Sequence, residues 1–263
     1  SNFHPPNLEE IPRKSFVIKS INMNVRYATE GFIFKQENSL GADRIFSIFT
    51  KDFGRIEVFG KAIREINSKL KSGAELFSVS RIEFIQGRNK KTLTDAVSLE
   101  KYKSLGKSPV KLEIAYRASD IINTFLKGQE GDEKILKLMV DFFQKLDKNS
   151  LDNIRQYLLF YYFTWNFISL LGYEPGFLTC MICKKTLDPL FICFSNKEGG
   201  VICPNCARAV KDSVSINQDT VKILRLILKE DWQTLSRIKK TGHFLPELEG
   251  ISESYYRYVL ESM

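Results

Sequence analysis

Glu75-Leu76-Phe77-Ser78-Val79-Ser80-Arg81-Ile82-Glu83-Phe84-Ile85 is an alternation of apolar and polar residues with one fault in it. Phe77 and Val79 fall on one face of an extended chain, whereas Ile82 and Phe84 fall on the other. A one-residue slip turns a strand's pattern inside out, so this run predicts a bulge or barrel corner near Ser80. Working outward, shorter runs rich in Phe, Ile and Val predict further strands at 30–36, 43–50, 55–59 and 92–97. Asn38-Ser39-Leu40-Gly41, Lys51-Asp52-Phe53-Gly54 and Gly87-Arg88-Asn89 supply the turns. Five strands, sharply bent, within about 70 residues fit a small closed barrel of the OB type, with an SH3-like barrel as the alternative. A further strand at 16–21 is suggested but has no assigned place.

Beyond Ser108-Pro109 the period becomes helical. Ser108 can cap and Pro109 suits the first helical position; Val110, Ile114, Ala118, Ile121, Ile122 and Phe125 then recur at helical spacing up to Gly128. Asp132 is placed to cap a second helix striped by Ile135, Leu138, Met139, Phe142 and Leu146. The 18 residues from Gln156 to Tyr173 carry no charge, near the roughly 20 needed to cross a bilayer. Gln156, Thr164, Asn166, Ser169 and four tyrosines lie among them, so the stretch is read as a buried core helix and no membrane partner is expected. Val221, Leu224, Ile227 and Leu228 predict another helix, and 255–260 a short last one. The expected class is therefore α+β and multidomain: an extension over 1–28, an OB-type barrel over 29–107, and a helical domain over 108–263.

That domain is interrupted at about 177–210. Cys180-x-x-Cys183 and Cys203-x-x-Cys206, with 19 residues between the pairs, have the spacing of a four-cysteine zinc site. Two knuckles each present two thiolates to one tetrahedral ion; four thiolates leave no open position for water, so a zinc here would be structural. An iron–sulfur cluster, disulfides and a redox Cys-x-x-Cys are the alternatives. Cys193, inside Leu190-Phe191-Ile192-Cys193-Phe194, reads as a strand residue, and Gly199-Gly200 as the turn returning Val201-Ile202-Cys203.

The 263 residues are 43% apolar and 27% charged, a globular balance that excludes disordered, collagenous and disulfide-scaffold classes. The formal charge of +8 is unevenly spread. Residues 1–107 hold 19 Lys/Arg against 12 Asp/Glu, leaving the remainder almost neutral. A basic barrel can be a solvated surface or a groove that tracks phosphates, the latter pairing cations with aromatic platforms. Phe46, Phe49, Phe53 and Phe59 interleave with Arg44, Lys51, Arg55 and Lys61; Phe53, beside Gly54, is expected to be the exposed one. Only His4 and His243 are present, far apart, and no His-x-Glu accompanies the cysteines, so a deaminase or zinc nuclease is disfavoured. No secretory signal is expected, since Ser1-Asn2-Phe3-His4-Pro5-Pro6 lacks a basic-then-apolar run.

Taken in order, Glu30-Gly31-Phe32-Ile33-Phe34-Lys35, Asp43-Arg44-Ile45-Phe46-Ser47-Ile48-Phe49-Thr50, Gly54-Arg55-Ile56, Gly60-Lys61 through Ser68-Lys69-Leu70, and Leu170-Leu171-Gly172-Tyr173-Glu174-Pro175 running into the cysteines resemble the bacterial RecO family of recombination mediators. The resemblance runs from about Thr29 to the C-terminus. It implies a non-enzymatic, cytoplasmic, nucleoid-associated DNA repair protein that binds single- and double-stranded DNA and anneals complementary strands. It further implies that, with RecR, the protein displaces SSB and helps load RecA. Arg44, Arg55, Lys61, Arg64 and Lys69 match basic positions of the family's barrel motifs, which implies DNA contact there. Reversing Arg55, Lys61, Arg64 and Lys69 to Glu is accordingly expected to abolish binding and leave the fold intact. Where the family favours Gly after the Lys and a denser Arg cluster, this chain has Ala62, Ile63 and Glu65. Some relatives lack the four cysteines, so Zn2+ is expected to stabilise the fold without being needed for activity. A zinc-ribbon module acting on RNA or in transcription, and a protein-interaction scaffold, are the competing readings.

Overall fold

The computed structural model describes residues 25–65, 68–128, 130–148, 151–188, 191–238 and 242–263. The strand suggested at 16–21, and most of the 1–28 extension, lie outside them. Five strands, β1 (Arg26–Asn38), β2 (Arg44–Thr50), β3 (Gly54–Gly60), β4 (Ser78–Gln86) and β5 (Lys91–Lys101), close into a barrel in the order β1-β2-β3-β5-β4. All pairings are antiparallel except β3 with β5, where Val58 meets Lys91 and Phe59 meets Thr92.

The fault in the 75–85 run is real. The β4–β5 register shifts between Val79 and Ser80, and Phe77 just before it has φ of +54°. Ile82 and Phe84 consequently point into the barrel with Ile33, Ile48, Ile56 and Val58, whereas Phe77 points outward into a different core. A second irregularity, between Ile33 and Lys35 on β1, lets Phe32, Ile33 and Phe34 all be fully buried. The connection after β3 adds Ile63, Leu70 and Ala74 to the barrel's inner core. Its fit is tight enough that a Cβ on Gly73 would stand 1.7 Å from the Ala96 carbonyl oxygen. Phe53, expected in solvent, is half-buried: the Lys51–Gly54 turn folds back so that its ring covers one barrel mouth, 5.6 Å from Tyr27 and 5.7 Å from Phe84.

Three long helices follow, α1 (Pro109–Phe125), α2 (Glu133–Lys148) and α3 (Asn153–Leu170). Ser108 caps α1 through the Lys111 N–H, and Asp132 accepts from Lys134 and Ile135 at the start of α2. α3 is buried from Leu158 to Ile168, and among the described residues no helix is long and apolar enough to cross a membrane. Its Trp165 donates to Ser252 Oγ (2.8 Å) and stacks on Tyr255 at 5.1 Å. The three-stranded sheet β6 (Ile192–Ser195), β7 (Gly200–Ile202) and β8 (Val214–Ile216), with the one-turn helix α4 (Pro204–Ala207) between β7 and β8, carries the cysteines. Then come α5 (Gln218–Leu228), the one-turn α6 (Trp232–Leu235) and α7 (Leu245–Ser262). The last helix is far longer than the 255–260 expected. Leu248, Ile251, Tyr255 and Val259 form its buried stripe, and Glu247, Glu249 and Glu253 between them mask the period in the sequence.

Barrel and helices share one core. Phe32, Phe34, Phe49 and Phe77 on the barrel's outer wall join Ile114, Phe143 and their neighbours, with Phe32 and Phe143 rings 4.5 Å apart. Ser119 on α1 donates to the Phe34 carbonyl at 2.6 Å.

Candidate nucleic-acid interface and metal centre

The four thiols of Cys180, Cys183, Cys203 and Cys206 lie within 4.8 Å of one another. Backbone geometry brings them there. The first knuckle folds back through Lys184 N–H to the Cys180 carbonyl (2.9 Å), with Lys184 itself at φ +59°. The second begins α4, where Cys203 occupies the N-cap and Ala207 N–H reaches its carbonyl. The knuckles are tied by Met181 N–H to Val201 O (2.9 Å) and Val201 N–H to Gly176 O (2.8 Å). Gly200 permits that tie, since a Cβ there would sit 2.2 Å from Gly176 O. Phe177 stacks on Phe194 and its carbonyl accepts from Arg225 Nε, fastening the knuckle to the helical core.

Cys183 Sγ and Cys203 Sγ are 3.8 Å apart, too far for a disulfide of about 2.05 Å. That separation is the edge of a tetrahedron of sulfurs around an ion with bonds of about 2.3 Å, so the residues fit a four-thiolate metal ion. Burial pushes the Cys180 thiol up, but hydrogen bonds from the Cys183, Cys203 and Ile182 backbone outweigh it and bring it down to about 6. Backbone hydrogen bonding to Cys206 likewise lowers the Cys203 thiol, whereas the bond to Cys203 pushes Cys206 up to about 12, so without an ion the four thiols divide between thiolate and thiol. Cys193 is half-buried on β6 and outside the sulfur group.

The basic candidates divide. Arg44 opens β2 and donates to Gln36 Oε1 (3.0 Å) and Asn38 Oδ1 (3.3 Å). Arg64 is exposed and donates to the Gly41 carbonyl, while Asp43 accepts from the Ala62 N–H at 2.7 Å. These bonds tie the β1–β2 loop to the turn after β3. Arg44, Arg64 and Lys71 thereby line one cleft of about 400 Å³, with Gln36 and Glu75 among its other walls. Lys61 is exposed on the same turn, and Lys69 further along the same connection. In the sequence Lys71 is one more basic residue of the stretch; its place at the cleft depends on how the connection folds.

Arg55 has a different occupation. Its side chain is only 16% exposed; Nη1 donates to the Asn123 and Leu126 carbonyls at the end of α1 (2.8 and 2.7 Å), and Nη2 pairs with Glu57 at 3.2 Å. A guanidinium satisfying the carbonyl end of a helix is a clamp between barrel and helices. Reversing it to Glu would set a carboxylate against carbonyl oxygens, so the expectation of an intact fold does not extend to this residue.

Among the described residues, Arg44, Lys61, Arg64, Lys69, Lys71, Arg88, Lys90 and Lys91 make no ion pair, whereas Lys35, Lys51, Arg55, Arg81 and Lys101 each do. These cations sit at the start of β2, on the described parts of the connection after β3, and on the 87–90 hairpin and the start of β5. Parallel pairing of β5 with β3 brings that hairpin beside Phe59.

The model of the family described as recombination protein O, N terminal, matches residues 23–102, and that described as recombination protein O, C terminal, matches 106–262. The chain is similar to the DNA repair protein RecO of Dehalococcoides mccartyi, 29% identical over 235 residues, covering 89% of this chain and 91% of the relative. It is also similar to the DNA repair protein RecO of Thermoanaerobacter sp., 25% identical over 233 residues and covering 89% and 92%. The DNA repair protein RecO of Acetivibrio thermocellus is 26% identical over 237 residues, covering 89% and 91%.

Proposed function

This chain belongs to the RecO family of DNA repair proteins, and from that premise we propose that it is a non-enzymatic mediator that grips DNA backbones with its barrel. It binds single- and double-stranded DNA, anneals complementary strands and, with RecR, helps exchange SSB for RecA. It works in the bacterial cytoplasm, on nucleoid DNA. The observation that carries this reading is the set of cations around the Arg44–Arg64–Lys71 cleft that make no ion pair among the described residues. Annealing requires two polyanions to approach, and unpaired cations screen their repulsion without reading bases. Little sequence preference and a steep salt dependence follow.

Fluorescence anisotropy of labelled single strands at low and raised salt tests it. A variant with Arg44, Arg64 and Lys71 reversed to Glu should lose most binding and flatten the salt slope by about two, at roughly 0.7 for each phosphate no longer neutralised. Unchanged affinity at low salt would remove the barrel from the mechanism. Tighter binding to RNA than to DNA would favour the RNA-associated alternative.

The four thiols hold Zn2+, as a brace with no catalytic part: all four ligand positions are filled by the chain. Elemental analysis of purified protein should find about one zinc per chain; iron in its place would point to a cluster, and no metal would end the proposal.

A further inference from the structure

Eight phenylalanines lie between Arg26 and Lys101. Four of them pack against the helices and two fill the barrel. Phe53 covers its mouth against Phe84. Phe59 does none of these. It points outward from β3 between inward-facing Val58 and Gly60, it is half-buried, and it belongs to neither core. Its strand neighbours are Ile45 on β2 and Thr92 on β5. Over its ring, 3.6 Å from the centroid, sits the Lys90 ammonium. Lys90 is exposed and, among the described residues, has no ion pair.

We propose that Phe59 is the base-stacking platform of the barrel, with Lys90 a displaceable cover that moves from the ring to the neighbouring phosphate. The inference rests on the DNA-binding reading above and says which part of the nucleic acid meets which side chain. An aromatic ring that contributes to no core yet is kept on the surface can offer its face to another flat, apolar surface. A nucleobase is such a surface, and its own phosphate supplies the anion that Lys90 lacks. The lysine–ring contact is weak at an exposed site and readily exchanged. The position also suits the fold, since barrels of this type meet oligonucleotides on the face of strands 2 and 3 and on the loop between strands 4 and 5. Bases in a duplex are stacked on each other and closed to Phe59, so the platform discriminates single strands from double. A base held by one face keeps its pairing edge open, which is the presentation that annealing needs.

The test compares Phe59→Ala, Phe59→Leu and Lys90→Ala, on the full chain, by anisotropy with a single-stranded oligothymidylate and a duplex. Both Phe59 variants should lose roughly tenfold in single-strand affinity with duplex affinity and salt slope unchanged. Lys90→Ala should flatten the salt slope by about 0.7. In Phe59→Trp, oligothymidylate should quench indole emission beyond whatever change wild type shows. Single-strand binding within about twofold of wild type in both Phe59 variants, while the Arg44/Arg64/Lys71 reversal abolishes it, overturns the platform and leaves the DNA reading standing. Equal loss on single strand and duplex overturns it as well, assigning Phe59 a structural part. Failure of wild type to bind single strands sinks the reading beneath.

Discussion

The barrel has two outer walls built by the same strands, and they have opposite fates. On β2 and β3, Phe49 and Arg55 face each other in register, and four pairs further along Ile45 faces Phe59. Phe49 is fully buried and Arg55 bonds to helix carbonyls, whereas Ile45 and Phe59 are half-buried and belong to neither core, with Lys90 over the Phe59 ring. Each wall sets an aromatic beside a basic residue, Arg55 from the facing strand on one and Lys90 from the β4–β5 hairpin on the other. The difference is what lies outside. Where helices cover the wall, phenylalanine is core and arginine is a hydrogen-bonded clamp; where solvent does, the same residue types are left for a ligand.

The largest effect that bears on this contrast should lie off both walls. Cys203→Ser breaks the four-thiolate set, and structural zinc contributes on the order of 10 kcal/mol to the folding of small metal modules. Thermal melts should show a large drop in midpoint, carried into the barrel through the core it shares with the helices; a melt unchanged from wild type would mean that no ion braces the knuckle. On the helix-facing wall, Phe34→Ala should cost about 3–5 kcal/mol in urea unfolding, whereas Phe59→Ala on the other wall should cost less than about 1. Comparable losses would erase the distinction. Arg55→Glu should lower stability by about 3 kcal/mol, through the loss of two carbonyl bonds and the burial of a like-signed group. Arg64→Glu should change it by no more than about 0.5 kcal/mol and act on DNA affinity alone. An effect of similar size and opposite sign concerns Ala62, which sits at φ +51°. Ala62→Gly should raise stability by about 0.5–1 kcal/mol by relieving a left-handed alanine, and no gain would mean the turn is held without strain.

Several features are legible in the chain alone because their signals are local. The slip between Val79 and Ile82 announces a bulge at Ser80, since a strand's side chains must alternate. The Cys-x-x-Cys pairs announce a four-thiolate site, since one ion demands two knuckles. Ser108 and Asp132 announce helix starts through capping chemistry. Arg55 shows the opposite case. It stands among Phe49, Phe53 and Lys61 as one more cation of a basic stretch, and nothing nearby in sequence tells of Asn123 and Leu126. Phe53 misleads in the same way, because a turn residue beside glycine is exposed unless the turn folds back onto something.

Alternation, spacing and capping, all properties of a few consecutive residues, were thus enough to point to a small bent barrel, a helical domain and a four-cysteine knuckle. Which cations lack a counter-charge, and which phenylalanine lacks a core, depended on how segments tens of residues apart come together. The physical reason is that burial and ion pairing belong to pairs of surfaces, and one strand's pattern describes only its own side of each pair.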